Sequence, residues 1–130
     1  MAKEPRKVGL VDGKFFPCPK KKVCISTQSS KEDEIHYIKP FSYKGSGREA
    51  LEKIVGIING LKRTKILKKT ENYLHVAFTT ALFRFKDDVE FLIDDNAKVI
   101  HFRSQSRIGG YDWNANRNRM ENIRNLYSKT

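Results

Sequence analysis

The sequence predicts one α+β domain, a mainly antiparallel sheet of about five strands with two helices packed on one face. Three observations predict it. Residues 87–94 and 99–107 alternate apolar with polar side chains on either side of Asp95-Asn96, which is a hairpin pattern. Ser46-Gly47-Arg48-Glu49 matches the S-x-x-E capping box, and Leu51, Ile54, Val55, Ile58 and Leu61 then recur at helical spacing. Met120, Ile123 and Tyr127 repeat that spacing near the end of the chain. At 130 residues and 15.1 kDa there is material for one hydrophobic core, with residues 1–14 as a basic arm and 15–130 as the domain.

Taken in order, residues 1–22 hold Pro5, Gly9, Gly13, Pro17 and Pro19 without a sustained period, so an arm is expected with at most one short strand, near Val8 to Val11. Val23 to Ser26 fits a short strand and Gln28 to Glu34 a polar loop. His36 to Pro40 is read as extended, because a residue before proline is pushed out of the helical region. The Ser46 helix meets its stop at Asn59-Gly60. Lys65 to Lys69 and Tyr73 to Phe78 form strands about Glu71-Asn72, and Thr79 to Lys86 fits either a prolonged strand or a bend.

In the 87–107 hairpin, a turn centred on Asp95-Asn96 pairs Ile93 with Lys98, Phe91 with Ile100 and Val89 with Phe102. Glu90 then opposes His101, and Asp88 opposes Arg103, on a reverse face read as solvated. After Ile108-Gly109-Gly110, Asp112 or Asn114 can cap a last helix running to about Tyr127. Four residues before Met120 stands Asn116, so an amide points at the sheet where an aliphatic side chain is usual.

The formal net charge of +11 favours anionic partners: a small anionic molecule, an acidic protein surface or, less favoured, nucleic acid. Much of the excess sits in lysine runs read as solvated surface, namely Lys3, Arg6, Lys7 and Lys14 of the arm, Lys20 to Lys22, and Lys62 to Lys69. Tyr73, His75 or Trp113 could stack a base if exposed, but no helix carries a basic recognition stripe. No apolar run reaches the roughly 20 residues of a membrane span, and Met1 to Pro5 has no apolar signal core. A cytoplasmic protein with Cys18 and Cys24 as thiols is therefore expected. Neither the cysteine spacing nor the scattered His36, His75 and His101 suits a metal, and no cofactor is expected.

Four segments, P-C-P-K-K-K-V-C-I-S-T (17–27), D-D-V-E-F (87–91), R-S-Q-S-R-I-G (103–109) and D-W-N-A-N-R-N-R-M-E (112–121), resemble in order the family called domain of unknown function 1499. The resemblance covers about residues 15 to 127 and implies no established activity. It implies joined cysteines in exported relatives, which the start of this chain does not support. Asn114 stands where the family pattern suggests glycine, and Val23 where it suggests a polar residue.

The candidate site follows from the strand faces. Ser104 and Ser106 share the core side with Ile100 and Phe102, and the first turn of the last helix can bring Asn116 and Arg117 to them. With Arg103 and Arg107 these make a polar site for a phosphate or carboxylate at a helix N-terminus, supported by Asp87, Asp88, Glu90 and Asp112. On this expectation Arg103→Ala removes binding and leaves the fold intact. The structural alternative is that Asn116 and the serines satisfy buried backbone groups after Gly109-Gly110 and that Arg117 pairs with Glu121. An enzymatic alternative would use Asp88, Glu90 and His101 as acid and base. No nucleophile or metalloprotease signature accompanies them.

Overall fold

The computed structural model describes residues 7–130, so Lys3 and Arg6 of the arm lie outside the described residues. Its elements are β1 (Leu10–Val11), β2 (Lys14–Phe15), β3 (Cys24–Ser26), β4 (Phe41–Ser42), α1 (Gly47–Asn59), β5 (Thr64–Lys69), β6 (Tyr73–Thr79), β7 (Lys86–Asp94), β8 (Val99–Ser106) and α2 (Ala115–Ser128). The main sheet runs β3-β8-β7-β6-β5, with β4 also paired to β8, and every pairing is antiparallel. It has six strands where about five were expected, and β1 and β2 form a separate two-stranded ribbon in the arm. Residues 36–40 form no named strand; Tyr37 makes one bridge to Ser26.

Local chemistry accounts for the element ends. The Ser46 hydroxyl accepts from the Glu49 amide at 3.1 Å while the Glu49 carboxylate accepts from the Ser46 amide at 3.2 Å, so α1 starts where the capping box places it. The hairpin register differs from the expected one. Asp94 pairs with Val99, Ile93 with Ile100, Phe91 with Phe102 and Glu90 with Arg103, because the turn is the four residues 95–98 and not a pair. Lys98 closes it at φ 57, and the Asp94 carboxylate accepts from the Ala97 amide at 3.1 Å. The displacement is two residues, so every side chain keeps its face.

One core cluster joins Leu51, Ile54 and Ile58 of α1 and Met120 and Ile123 of α2 to Leu74, Val76, Val89, Phe91, Ile100 and Phe102 of the sheet. The alternate residues of β6, β7 and β8 meet the arm. Phe15 packs with Tyr73 and Leu92, the Gly9 amide donates to Glu90 at 2.7 Å, and Arg103 donates to the Pro17 carbonyl at 3.2 Å. The solvated reverse face is thereby corrected: Asp88, Glu90 and Arg103 are buried. An arm with no helical or strand period supplies the cover, so periodicity alone could not announce it.

The thiol expectation is corrected as well. Cys18 and Cys24 are joined by a disulfide with Cα atoms 5.6 Å apart, which ties the end of the arm to β3. The bridge spans a sequence separation of 6, a short loop for which chain-entropy reasoning gives about 2 kcal/mol. Reduction, or a Cys18→Ser/Cys24→Ser double substitution, is expected to lower the unfolding midpoint by roughly 5–10 °C in a calorimetric scan.

β5 lies at one margin of the sheet, with Lys65, Lys68 and Lys69 exposed and its register shifted between Ile66 and Lys68. At the other margin β3 is flanked by residues 36–38, whose backbone bonds to Ser26 in both directions. Among the described residues, no helix is long and apolar enough to cross a membrane.

Candidate functional site

The first turn of α2 is set by an unusual pair of backbone angles. Trp113 and Asn114 both take left-handed conformations, φ 56 and φ 64. Asparagine is among the residues that tolerate this region, so it can stand in for the expected glycine. The Asn114 side chain makes no cap bond. Asp112 takes that role, accepting from the Asn114 amide at 2.9 Å and from the Asn116 amide at 3.3 Å.

Asn116 is fully buried, and its carboxamide organises the core-side polar cluster. Its Nδ2 lies 3.1 Å from the Val23 carbonyl, 3.0 Å from the Ser106 hydroxyl and 2.7 Å from the Asp112 carboxylate. Its Oδ1 accepts from the Ser104 hydroxyl at 2.6 Å and from Arg119 at 2.9 Å. Arg119 also donates to Asp87, and its guanidinium lies 4.9 Å from the Phe78 ring centre. Ser104, Ser106 and Asp112 are thus each bonded to Asn116, and Asp87 joins the cluster through Arg119.

Arg117 points elsewhere. It donates to the Glu34, Ile35 and Tyr37 carbonyls, the last at 2.9 Å, and so clamps the segment before β4. The cation in the polar cluster is Arg119, which the sequence reading missed. The signal was present, since Arg119 follows Asn116 by three and precedes Ile123 by four, on the face that carries Met120.

On the arm side, Arg103 and Glu90 face each other as an ion pair at 3.5 Å, both about 1% exposed, and Tyr73 donates a short hydrogen bond to Glu90. Burial pulls the Arg103 guanidinium below its ordinary pKa, and the charges of Glu90 and Asp88 oppose that. Burial, reinforced by the hydrogen bond to Glu90, pushes the Tyr73 phenol well above its ordinary value. Asp88 is held by both arms of the Arg107 guanidinium at 3.0 Å and by His75 at 2.8 Å. Tyr73 and His75 are buried and present no stacking platform, whereas Trp113 is 80% exposed.

His101 does not join Glu90. It lies opposite Leu92, with Nδ1 2.8 Å from the Thr27 hydroxyl and Nε2 4.0 Å from Asp94. Thr27 Oγ1 also accepts from the Phe102 amide at 3.1 Å, which ties the His101 ring to the β8 backbone through the Thr27 hydroxyl. Burial lowers the His101 pKa, with Asp94 opposing. A histidine depressed in the folded state contributes stability that is present above its unfolded pKa, about 6.5, and lost as pH falls through the lower folded value. Between pH 7.5 and 5.5 the wild type is expected to lose more stability than His101→Gln in urea titrations. Equal losses would remove His101 from the acid response.

One cleft adjoins the core-side cluster, and a second lies away from both clusters. The first, of about 330 Å³, opens at the start of α2, between Lys22, Ile35, Tyr111, Asp112 and Arg117. A larger one of about 1010 Å³ lies at the other end of the sheet, where Lys14, Arg48 and Lys69 mix with Glu52, Glu71 and Asp94. Among the described residues, no three His, Cys, Asp or Glu side chains stand together in a way that could hold a metal ion.

These features define a small disulfide-bridged α+β domain with a buried polar cluster on each side of the β7-β8 hairpin. The chain belongs to the family described as protein of unknown function (DUF1499), whose sequence pattern matches residues 14–126. No curated protein matches the chain.

Proposed function

We propose that the domain is a non-catalytic binding module for anionic groups, a small anionic molecule or an acidic surface, acting at the end where β7 begins and β8 stops. The observation that carries this is the division of the charged residues. Asp87, Asp88 and Glu90 are buried and each is met by a guanidinium, whereas a catalytic acid or base must reach the proton it transfers. The cations of Lys20 to Lys22, Lys62, Arg63, Arg84 and Lys86 are exposed. In this reading Arg103, Ser104, Ser106 and Asn116 hold the frame, and the two helices cover the apolar side of the sheet. Arg107 and Arg117, both half-buried, supply contacts at the rim. The Cys18–Cys24 bridge favours an oxidising compartment over the cytoplasm.

The test is a thermal-shift titration with inositol hexakisphosphate and with a heparin fragment, at low and at physiological salt. Stabilisation approaching about 2.7 kcal/mol at a hundredfold excess over Kd is expected. It should weaken with salt and fall in a Lys20→Glu/Lys22→Glu variant. No shift with either polyanion at low salt rejects the reading, and turnover that disappears in Asp88→Asn with the fold retained would favour an enzyme.

A further inference from the structure

Four connections meet at the same end of the sheet. The 80–85 loop joins β6 to β7, whose Thr79 and Lys86 are paired. The 107–114 segment leaves β8 beside it, with the Arg107 amide bonded to the Lys86 carbonyl. Residues 60–63 arrive from α1, with the Thr79 amide bonded to the Arg63 carbonyl, and Lys22 bridges to Tyr111 before β3. Two of these connections carry large apolar side chains into solvent: Leu82, Phe83 and Phe85 on one, Ile108, Tyr111 and Trp113 on the other. Exposure is greatest at the tips, 79% for Leu82, 67% for Phe83 and 80% for Trp113.

The tips are held outward. Phe83 stacks on Phe85 at 5.4 Å between ring centres, and Tyr111 meets Trp113 edge-on at 4.7 Å. Arg84 and Trp113 sit in the left-handed region, at φ 59 and φ 56, a conformation that bulky residues rarely keep without a reason. The four connections contain a single acid, Asp112, and it is occupied by the Asn114 and Asn116 amides and the Asn116 carboxamide. Lys22, Lys62, Arg63, Arg84 and Lys86 stand exposed around the apolar tips, whereas Glu71, Asp94 and Asp95 lie at the opposite end.

We propose that this end docks on an anionic lipid bilayer, with Leu82, Phe83 and Trp113 entering the headgroup layer and the surrounding cations meeting lipid phosphates. The proposal rests on the anion-binding reading and names its partner. Leucine, phenylalanine and tryptophan partition into the bilayer boundary, tryptophan with its ring at headgroup level, and lysine and arginine are drawn to an acidic leaflet. The 80–85 loop enters β7 and the 107–114 segment leaves its neighbour β8, so the two loops leave the sheet on adjacent strands, about 5 Å apart where they are nearest. Separate protrusions ringed by cations suit a soft, broad, negatively charged surface better than an enclosing pocket.

Trp113 is the single tryptophan, so its emission reports directly on its surroundings. The oxidised full chain is mixed with vesicles of two parts phosphatidylcholine to one part phosphatidylglycerol, with and without brominated acyl chains, and with pure phosphatidylcholine vesicles. A blue shift of Trp113 emission, quenching by the brominated chains and co-sedimentation are expected with the anionic vesicles only. Leu82→Ser/Phe83→Ser should weaken partitioning tenfold or more with an unchanged circular dichroism spectrum, and Arg84→Gln about fivefold. Binding to soluble polyanions without vesicle binding overturns the membrane assignment and leaves the anion-binding reading standing; binding to neither overturns both. Equal binding to pure phosphatidylcholine overturns the anionic requirement. Concentration-dependent self-association abolished by Leu82→Ser/Phe83→Ser, with no vesicle binding, would assign the surface to a second copy and overturn the lipid.

Discussion

Arg103→Ala is expected to destabilise the domain by about 3–5 kcal/mol, because truncating one partner of a buried ion pair leaves the other charge without compensation. Glu90 would remain fully buried, still accepting from Tyr73 and the Gly9 amide but without the guanidinium opposite it. Against a typical total of roughly 5–15 kcal/mol, much of the stability would go. Urea unfolding followed by circular dichroism measures this directly. A double Arg103→Met/Glu90→Leu variant should recover a large part of the loss, since apolar residues of similar size often replace a buried pair at little cost. Wild-type stability in Arg103→Ala would return Arg103 to the role of a free anion contact, the expectation that its burial now opposes.

Asn116→Ala is the second large effect, roughly 2–4 kcal/mol. The side chain accepts from Ser104 and Arg119 and lies within donor reach of Val23, Ser106 and Asp112, so its removal leaves several buried polar atoms to find new partners. The same network makes the loss non-additive. A double-mutant cycle of Asn116→Ala with Ser104→Ala is expected to show a coupling of about 0.5–3 kcal/mol. A coupling near zero would mean that the two side chains do not act together.

The contrast between these clusters shows where local sequence was informative. Period-two alternation assigned Val89, Phe91 and Phe102 to the core, and that assignment survives a register error of two residues because faces repeat every two. The error arose in the turn, where Lys98 takes a left-handed angle that nothing in Asp95-Asn96 announces. Asn116 was legible as an amide at an apolar helix position, and the Ser46 helix as a capping box. The cover over Glu90 was not, because it comes from an arm distant in sequence whose Gly9 and Pro17 act through backbone groups. A hint did exist: Tyr73 and Leu92 lie among the polar residues of that face, and a large apolar residue there asks for a partner, which Phe15 provides.

The two margins of the sheet carry a last consequence. A strand with unpaired amides is an invitation to the strand of another molecule, and growth by such addition is how ordered aggregates spread. Here the invitation is withdrawn twice. Residues 36–38 occupy the backbone of Ser26 on one side, and on the other the lysines and shifted register of β5 set like charges and a mismatched ladder before any incoming strand. Both margins of the strand-rich layer are thereby guarded against strand addition, and the most exposed large apolar residues, Leu82 and Trp113, stand on loop tips away from them.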